Sequence, residues 1–326
     1  MTRTAQLFIR MLRWRIAVTL WAFLLLGAAA QGPIRPTVNL ILTAVALCAS
    51  YVVATTANDV ADKDIDRINH PLDAGRPLVT GDASERDLWR TNAVAAPVAI
   101  IAAALAGAPT LGLTVASLAI GYVYSLRPIR LSYRTWAAPV ALAVAYVLVP
   151  YGLGMLAAGG RIDTTDGLLA AALYMLFVAR INLKDFRDRE GDAAFGKPTL
   201  LLAHGKSATC AVSLVAVLLG CALLVFALGP NPGLAVVVAL FGAAILWMLR
   251  VLWRAGDARS EQIAIGIGAK MGNGLLACAL AWLLLGSADA PDGLRVLTLA
   301  FLAVVFGTVF RAMTSGRDDI RIAYKG

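Results

Sequence analysis

The chain has 326 residues, 60% of them hydrophobic and only 15% charged, with a mean hydropathy of +0.75. That is too apolar for a soluble domain, where about a quarter of residues are charged. The net charge of +9 would suit nucleic acid, but the basic residues alternate with apolar segments and never form one patch. Topology and anionic lipid headgroups account for them, and nucleic acid is set aside as a partner. Cys48, Cys210, Cys221 and Cys278 stand singly in apolar segments without a C-x-x-C spacing. They read as packing residues, and with His70 and His204 the only histidines neither zinc nor haem chemistry is supported.

Spanning helices need roughly 17–25 predominantly apolar residues. Ten segments qualify, and the first covers 16–30. Its flanks, Arg10, Arg13 and Arg15 before and Ala28, Ala29 and Ala30 at its end, imitate a signal peptide. Removing it would spoil the alternation of charge described below, so it reads as a helix. The second segment is 36–57; 91–107 and 110–125 follow, separated only by Ala108 and Pro109. The remainder are 137–158, 165–183, 207–228, 232–254, 263–286 and 294–313. The whole chain, 1–326, reads as one all-α transmembrane bundle of nine to ten spans. A similar arrangement of motif and basic stretch in the two halves suggests internal duplication.

Lys and Arg placement orients the spans. Of the 29 basic residues, 25 lie in the N-terminus, in 58–90, 126–136, 180–206 and 250–262, or in the tail. The alternate loops hold only Arg35, Arg161 and Arg295, and Lys270 lies inside the ninth segment. This predicts an even number of spans with both termini cytoplasmic, in a bacterial cell membrane. Trp14, Trp21, Trp89, Trp136, Trp247, Trp253 and Trp282 fall mostly near span ends, as an aromatic belt requires.

Two acidic clusters of matching design lie 126 residues apart, in cytoplasmic loops on the same side. The first is Asn58-Asp59-x-x-Asp62-x-x-x-Asp66, the second Asp185-x-x-Asp188-x-x-x-Asp192. If the helix before each continues, Asn58, Asp62 and Asp66 share one face, and so do Asp185, Asp188 and Asp192. Carboxylates stacked this way repel, and a cation removes the penalty. The all-oxygen donor set favours Mg²⁺, which keeps few protein ligands and shares its shell with phosphates. The metal-ligating candidates are Asn58, Asp59, Asp62, Asp66, Asp185, Asp188 and Asp192; Asp62, Asp66, Asp185 and Asp188 are the catalytic candidates. Arg67, Arg76, Tyr124, Arg127, Arg130, Lys184 and Lys197, with Asn58, form the substrate-binding set, because arginine forks suit phosphate oxygens. Arg127, Arg130 and Arg134 also serve as plain topology anchors. Asn39 and Tyr51 are candidates to line a cavity. Tyr146, Tyr151, Tyr174 and Phe177 are candidates to shield a carbocation or to pack.

Together the clusters resemble those of the UbiA superfamily of intramembrane prenyltransferases. Asn58, Asp59, Asp62 and Asp66 match its N-D-x-x-D-x-x-x-D pattern, and Asp185, Asp188 and Asp192 its second motif. Arg76-Pro77-Leu78-Val79-Thr80-Gly81 and Tyr124-Ser125 with Arg130 resemble further elements, as does Gly191-Asp192 followed by Gly196-Lys197 and Thr199-Leu200. The resemblance implies a helical bundle with a central lipid-open cavity. It also implies Mg²⁺, a prenyl diphosphate donor, and an aromatic or lipid-like acceptor drawn from the membrane. The family usually has nine spans, against the ten segments here. Asn69-x-Pro71 and the Arg-Pro continuation lean toward the chlorophyll-synthase and archaeal-lipid branches. A terpene cyclase on the same scaffold is the alternative among enzymes. A transporter of anionic lipids is the alternative from another class.

Overall fold

The computed structural model describes residues 2–160 and 162–315. Arg161 and the tail residues Arg317, Arg321 and Lys325, used in orienting the spans, lie outside the described residues. All secondary structure among the described residues is helical. A bent pair opens the chain, α1 (Arg3–Met11) and α2 (Trp14–Ala30). Next come α3 (Val38–Ala61), the short α4 (Lys63–Asn69), α5 (Glu85–Ala106) and α6 (Ala108–Ser125). Helices α7 (Ala137–Ala143) and α8 (Val149–Ala157) are joined through a π turn, Val144–Leu148. Pro150 follows that turn and lacks an N–H, so the i→i−4 ladder widens there. Helix α9 (Thr164–Ile181) passes through a 3-10 turn, Asn182–Lys184, into α10 (Asp185–Ala194). The chain ends with α11 (Leu200–Leu228), α12 (Pro232–Arg254), α13 (Ala258–Ser287) and α14 (Asp292–Thr314).

Among the described residues nine helical stretches are long and apolar enough to cross a membrane, or ten if α1 and α2, bent by 64°, count as one span. The expected first span is α2, only 17 residues long. Local chemistry sets the other boundaries. Ser84 and Asp87 cap α5 reciprocally, Asp163 and Asp166 do the same for α9, and Thr37 caps α3. The break between the third and fourth expected segments falls at Gly107, one residue before Ala108. Its φ of 129° and ψ of 161° suit glycine alone. Both acidic clusters lie on helical segments, as a continuation of the preceding helices requires, with Asp62 at the α3–α4 junction.

The chain divides into two compact units, one made of Met1–Arg161 with Asp188–Thr199, the other of Ile162–Arg187 with Leu200–Gly326. In the first, α3 is central and packs on α5, α6 and α8. Its core joins Leu7 and Met11 of α1 to Val52 and Val53 of α3, Leu88 and Ala95 of α5, and Leu118 of α6. Helices α2 and α8 cross at backbone contact: a Cβ on Gly154 would lie 1.9 Å from the Leu24 carbonyl oxygen, and one on Gly27 2.0 Å from that of Tyr151. Small residues allow such crossings where lipid gives no hydrophobic drive between helices. In the second unit α9 packs on α11, and α13 on both α12 and α14. Lys206 of α11 reaches Glu261 of α13 at 2.8 Å.

The tight crossing is testable. Gly154→Ala is expected to cost roughly 1–3 kcal/mol, read as a lower unfolding midpoint in detergent. Gly112→Ala, whose new methyl meets nothing within 4 Å, is expected to stay within about 0.5 kcal/mol. Equal midpoints for the two variants would contradict the crossing.

Candidate active site

Helix α3 delivers Asn58 and Asp59 and then breaks at Asp62, whose φ of −108° and ψ of 14° leave the helical region. The i+4 hydrogen bonds survive the break. Asp62 N donates to Asn58 O and Asp66 N to Asp62 O, both at 2.8 Å, and His70 N to Asp66 O at 2.7 Å. The expected spacing of Asn58, Asp62 and Asp66 is therefore kept through a kink, not along one straight helix. The Asn58 amide donates to Asp62 Oδ2 at 3.2 Å.

Asp59, Asp62, Asp66 and Asp192 are all buried, Asp59 and Asp192 to 2% exposure. Buried charge must be compensated by partners, and each carboxylate has a cation. Arg130 Nη2 lies 3.2 Å from Asp62 Oδ1 and also donates to the Ala61 carbonyl at 3.0 Å. Its guanidinium sits 3.9 Å from the centre of the Tyr133 ring. Arg76 pairs with Asp66, and its Nη1 lies 3.7 Å from Asp59 Oδ1. Arg13 pairs with Asp59.

The second motif meets the first inside this unit. Lys197 Nζ stands 3.4 Å from Asp62 Oδ2 and 3.4 Å from Asp192 Oδ1, so one ammonium joins the two acidic clusters. His70 Nε2 is 3.0 Å from Asp188 Oδ1. Gly191 N donates to Asn69 Oδ1 at 2.7 Å, and a Cβ on Gly191 would come within 2.6 Å of the Ile65 carbonyl oxygen. Only glycine lets the backbone of α10 lie that close to α4. Thr135 Oγ1 donates to Pro198 O at 2.7 Å, tying the Arg130 loop to the Lys197 turn.

The remaining expected residues lie on several elements. Arg67 is exposed and pairs with Asp64 at 2.9 Å, away from the carboxylate network. Arg127 is exposed, and Tyr124 is half-buried on α6. Lys184 and Asp185 fall in the second unit, where Asp185 is buried at the start of α10 and Lys184 half-buried in the preceding turn. Asn39 donates to the Ala157 carbonyl at 3.3 Å, while its Oδ1 is buried without a hydrogen-bond partner. Tyr51 is buried and meets Tyr146 edge to face at 5.9 Å. Tyr174 and Phe177 belong to the second unit.

Sequence reasoning missed Arg13, Asn69 and His70 as members of the network. Arg13 sits in the α1–α2 break with φ of 44°, a left-handed conformation that nothing in the basic run Arg10, Arg13, Arg15 announces. Its neighbour Arg10 anchors the loop after α4, donating to Ala74 O at 2.5 Å and lying 2.7 Å from Asp82. The Thr80 hydroxyl and then Arg10 hold Asp82 below the ordinary carboxylate range.

Among the described residues no three acidic, histidine or cysteine side chains close around one point. The metal set is thus not a protein-only cage, which suits a cation that takes one or two carboxylates and completes its shell with substrate phosphates and water. The donors fit such an ion: they are oxygens, and Asp59 Oδ2 is buried with no hydrogen-bond partner.

The model of the UbiA prenyltransferase family matches residues 16–274. Chlorophyll synthase of Arabidopsis thaliana is 34% identical over 162 residues, 46% of this chain and 40% of that protein. The chain spans about half the length, or less, of the first plant chlorophyll synthases it matches, 40% and 50%. Digeranylgeranylglyceryl phosphate synthase of Methanoculleus marisnigri is 35% identical over 206 residues, 61% of this chain and 68% of that protein. A solved UbiA homolog from Archaeoglobus fulgidus, bound to GPP and Mg²⁺, superposes with a TM-score of 0.66 at 17% identity, covering 85% of this chain and 99% of that one. With the family model matching most of its length and its helices arranged as in that homolog, this membrane chain belongs to the UbiA prenyltransferase family.

Proposed function

We propose that the chain is a Mg²⁺-dependent prenyltransferase, moving a prenyl group from its diphosphate to a lipophilic acceptor and releasing pyrophosphate. The observation that carries this reading is Lys197 held between Asp62 and Asp192, with Arg130 on the other oxygen of Asp62. Cations and carboxylates from both motifs are thereby concentrated at one place. The GPP and Mg²⁺ of the Archaeoglobus fulgidus homolog support a prenyl diphosphate and that metal for this chain as well. The synthases among the relatives favour a large lipid-like acceptor over a small aromatic one. The charge alternation supports a cytoplasmic location for the acidic helices and both termini, in a bacterial cell membrane.

Chemically, the bond from the prenyl C1 to the diphosphate oxygen breaks, and its electron pair leaves with pyrophosphate. The acceptor's nucleophilic atom bonds to C1 and loses a proton. Asn58, Asp59, Asp62, Asp66, Asp188 and Asp192 would hold Mg²⁺, which would supply positive charge against the leaving pyrophosphate. Arg76, Arg130 and Lys197 add donors aimed at where negative charge grows, which stabilises the departing group electrostatically. Their present carboxylate partners hold them in place before substrate arrives. Arg13 and His70 act as positioning residues, through Asp59 and Asp188.

Pyrophosphate release from geranylgeranyl diphosphate in the presence of membrane lipid tests the reading. Release is expected with Mg²⁺, abolished by EDTA and restored by added Mg²⁺; no release across prenyl chain lengths, with lipid flux into proteoliposomes, would favour a transporter. Cyclised hydrocarbon formed without acceptor would favour a cyclase.

Asp62→Ala and Asp192→Ala are each expected to lower kcat by about 10²-fold or more. Lys197→Met is expected to lose on the order of 10²-fold and Lys197→Arg to recover part of it. Arg67→Gln, far from this network, is expected to stay within about twofold of the parent. A loss at Arg67 equal to that at Lys197 would show that the network is not the site.

A further inference from the structure

We propose that Arg180, Asn273 and Lys270 of the second unit form a binding site for an oxyanion, a carboxylate or phosphate, carried on a lipophilic molecule. Arg180 ends α9, and its Nη1 donates to Asn273 Oδ1 on α13 at 2.7 Å. That bond occupies the acceptor end of the Asn273 amide and leaves its NH₂ end to donate. Lys270 precedes Asn273 by three residues, so the two share a helix face. What remains at this place is a set of donors: the rest of the Arg180 fork, the Asn273 NH₂ and the Lys270 ammonium. A group with only acceptor oxygens matches that set.

Charge makes the same point. Several acidic residues of the second unit are engaged elsewhere. Asp163 and Asp166 cap each other, Glu261 takes Lys206, Asp257 caps Ser260, and Asp292 takes Arg295. Among the described residues neither Arg180 nor Lys270 has an acidic partner; Arg180 has only its bond to Asn273. Lys270 lies within a helix long and apolar enough to span a membrane, where an uncompensated charge is unfavourable and marks a candidate ligand path.

Lys270 is twelve residues into α13, about 18 Å along the axis, with a longer stretch beyond it. Helix α13 presents no stripe of exposed apolar side chains there. Helix α14 exposes Leu294, Leu297, Phe301 and Val304, as a lipid-facing helix should. Between Ser260 and Ser287, Lys270 is the one exposed side chain of α13. Phe177, Leu176 and Leu276, half-buried beside the pair, supply an apolar flank for a hydrocarbon body.

Photolabelling locates the site without requiring turnover, so its outcome is independent of prenyl transfer. The protein in phosphatidylcholine nanodiscs is irradiated with hexadecanoic acid carrying a diazirine, or with the matching alcohol, and labelled peptides are mapped. The acid is expected to label α9 and α13 peptides at least about fivefold more than the alcohol, with Lys270→Met removing that excess and Lys270→Arg keeping it. Replacing part of the phosphatidylcholine with phosphatidylglycerol separates the sources. Competition assigns the site to an anionic lipid headgroup, and no competition assigns it to a substrate bearing such a group. Equal labelling by acid and alcohol, or labelling unchanged in Lys270→Met while Lys270→Arg folds normally, would overturn the proposal.

Discussion

Everything at the candidate site depends on keeping four carboxylates buried where helices end against apolar packing. Asp59, Asp62, Asp66 and Asp192 are sealed from solvent, and such groups are tolerated only with cations at hand. The chain meets this requirement with residues remote in sequence: Arg13 from the α1–α2 break, Arg76 from the loop after α4, Arg130 from the loop after α6, and Lys197 beyond α10. Each ion pair also ties a loop to the α3–α4 junction. Compensation of charge and positioning of the loops are one and the same set of contacts.

That coupling favours a site poised for an anionic substrate bound with a cation. Carboxylates held by basic side chains have only to exchange partners when such a substrate arrives, and the donors are already in place. The Asp62 kink contributes by turning the chain while the Asn58–Asp62 and Asp62–Asp66 backbone hydrogen bonds persist. The absence of a bulky side chain at Gly191 contributes by letting α10 approach α4 at backbone distance. Both features decide where the side chains of the candidate site stand.

The second unit solves a different problem with other means. Asp163, Asp166 and Asp257 cap helices there, and Lys206–Glu261 fastens α11 to α13. Arg180 and Lys270 differ: Arg180 is held by a neutral amide, and neither cation has an acidic partner among the described residues, which is why an anionic ligand is the natural counterpart.

The sequence by itself determined the helical membrane class, the segment order and the two acidic motifs. Those properties rest on hydropathy length and on i+3 and i+4 spacing, which are local. It also placed Arg76, Arg130 and Lys197 among the phosphate-binding candidates, because basic residues flanking the motifs were visible as such. Tertiary structure alone decided which of the flanking cations reach the buried carboxylates. Arg67 and Arg76 look equivalent on paper, but one pairs outward with Asp64 and the other inward with Asp66. Arg13 could not be told from Arg10 and Arg15, since its role comes from a left-handed backbone turn and a partner 46 residues away. Pairing of charges in a bundle is set by which helix ends meet, and that depends on crossings such as Gly27 with Tyr151 and Gly191 with Ile65, where the fit of side chains and backbone, not the composition, determines the neighbour.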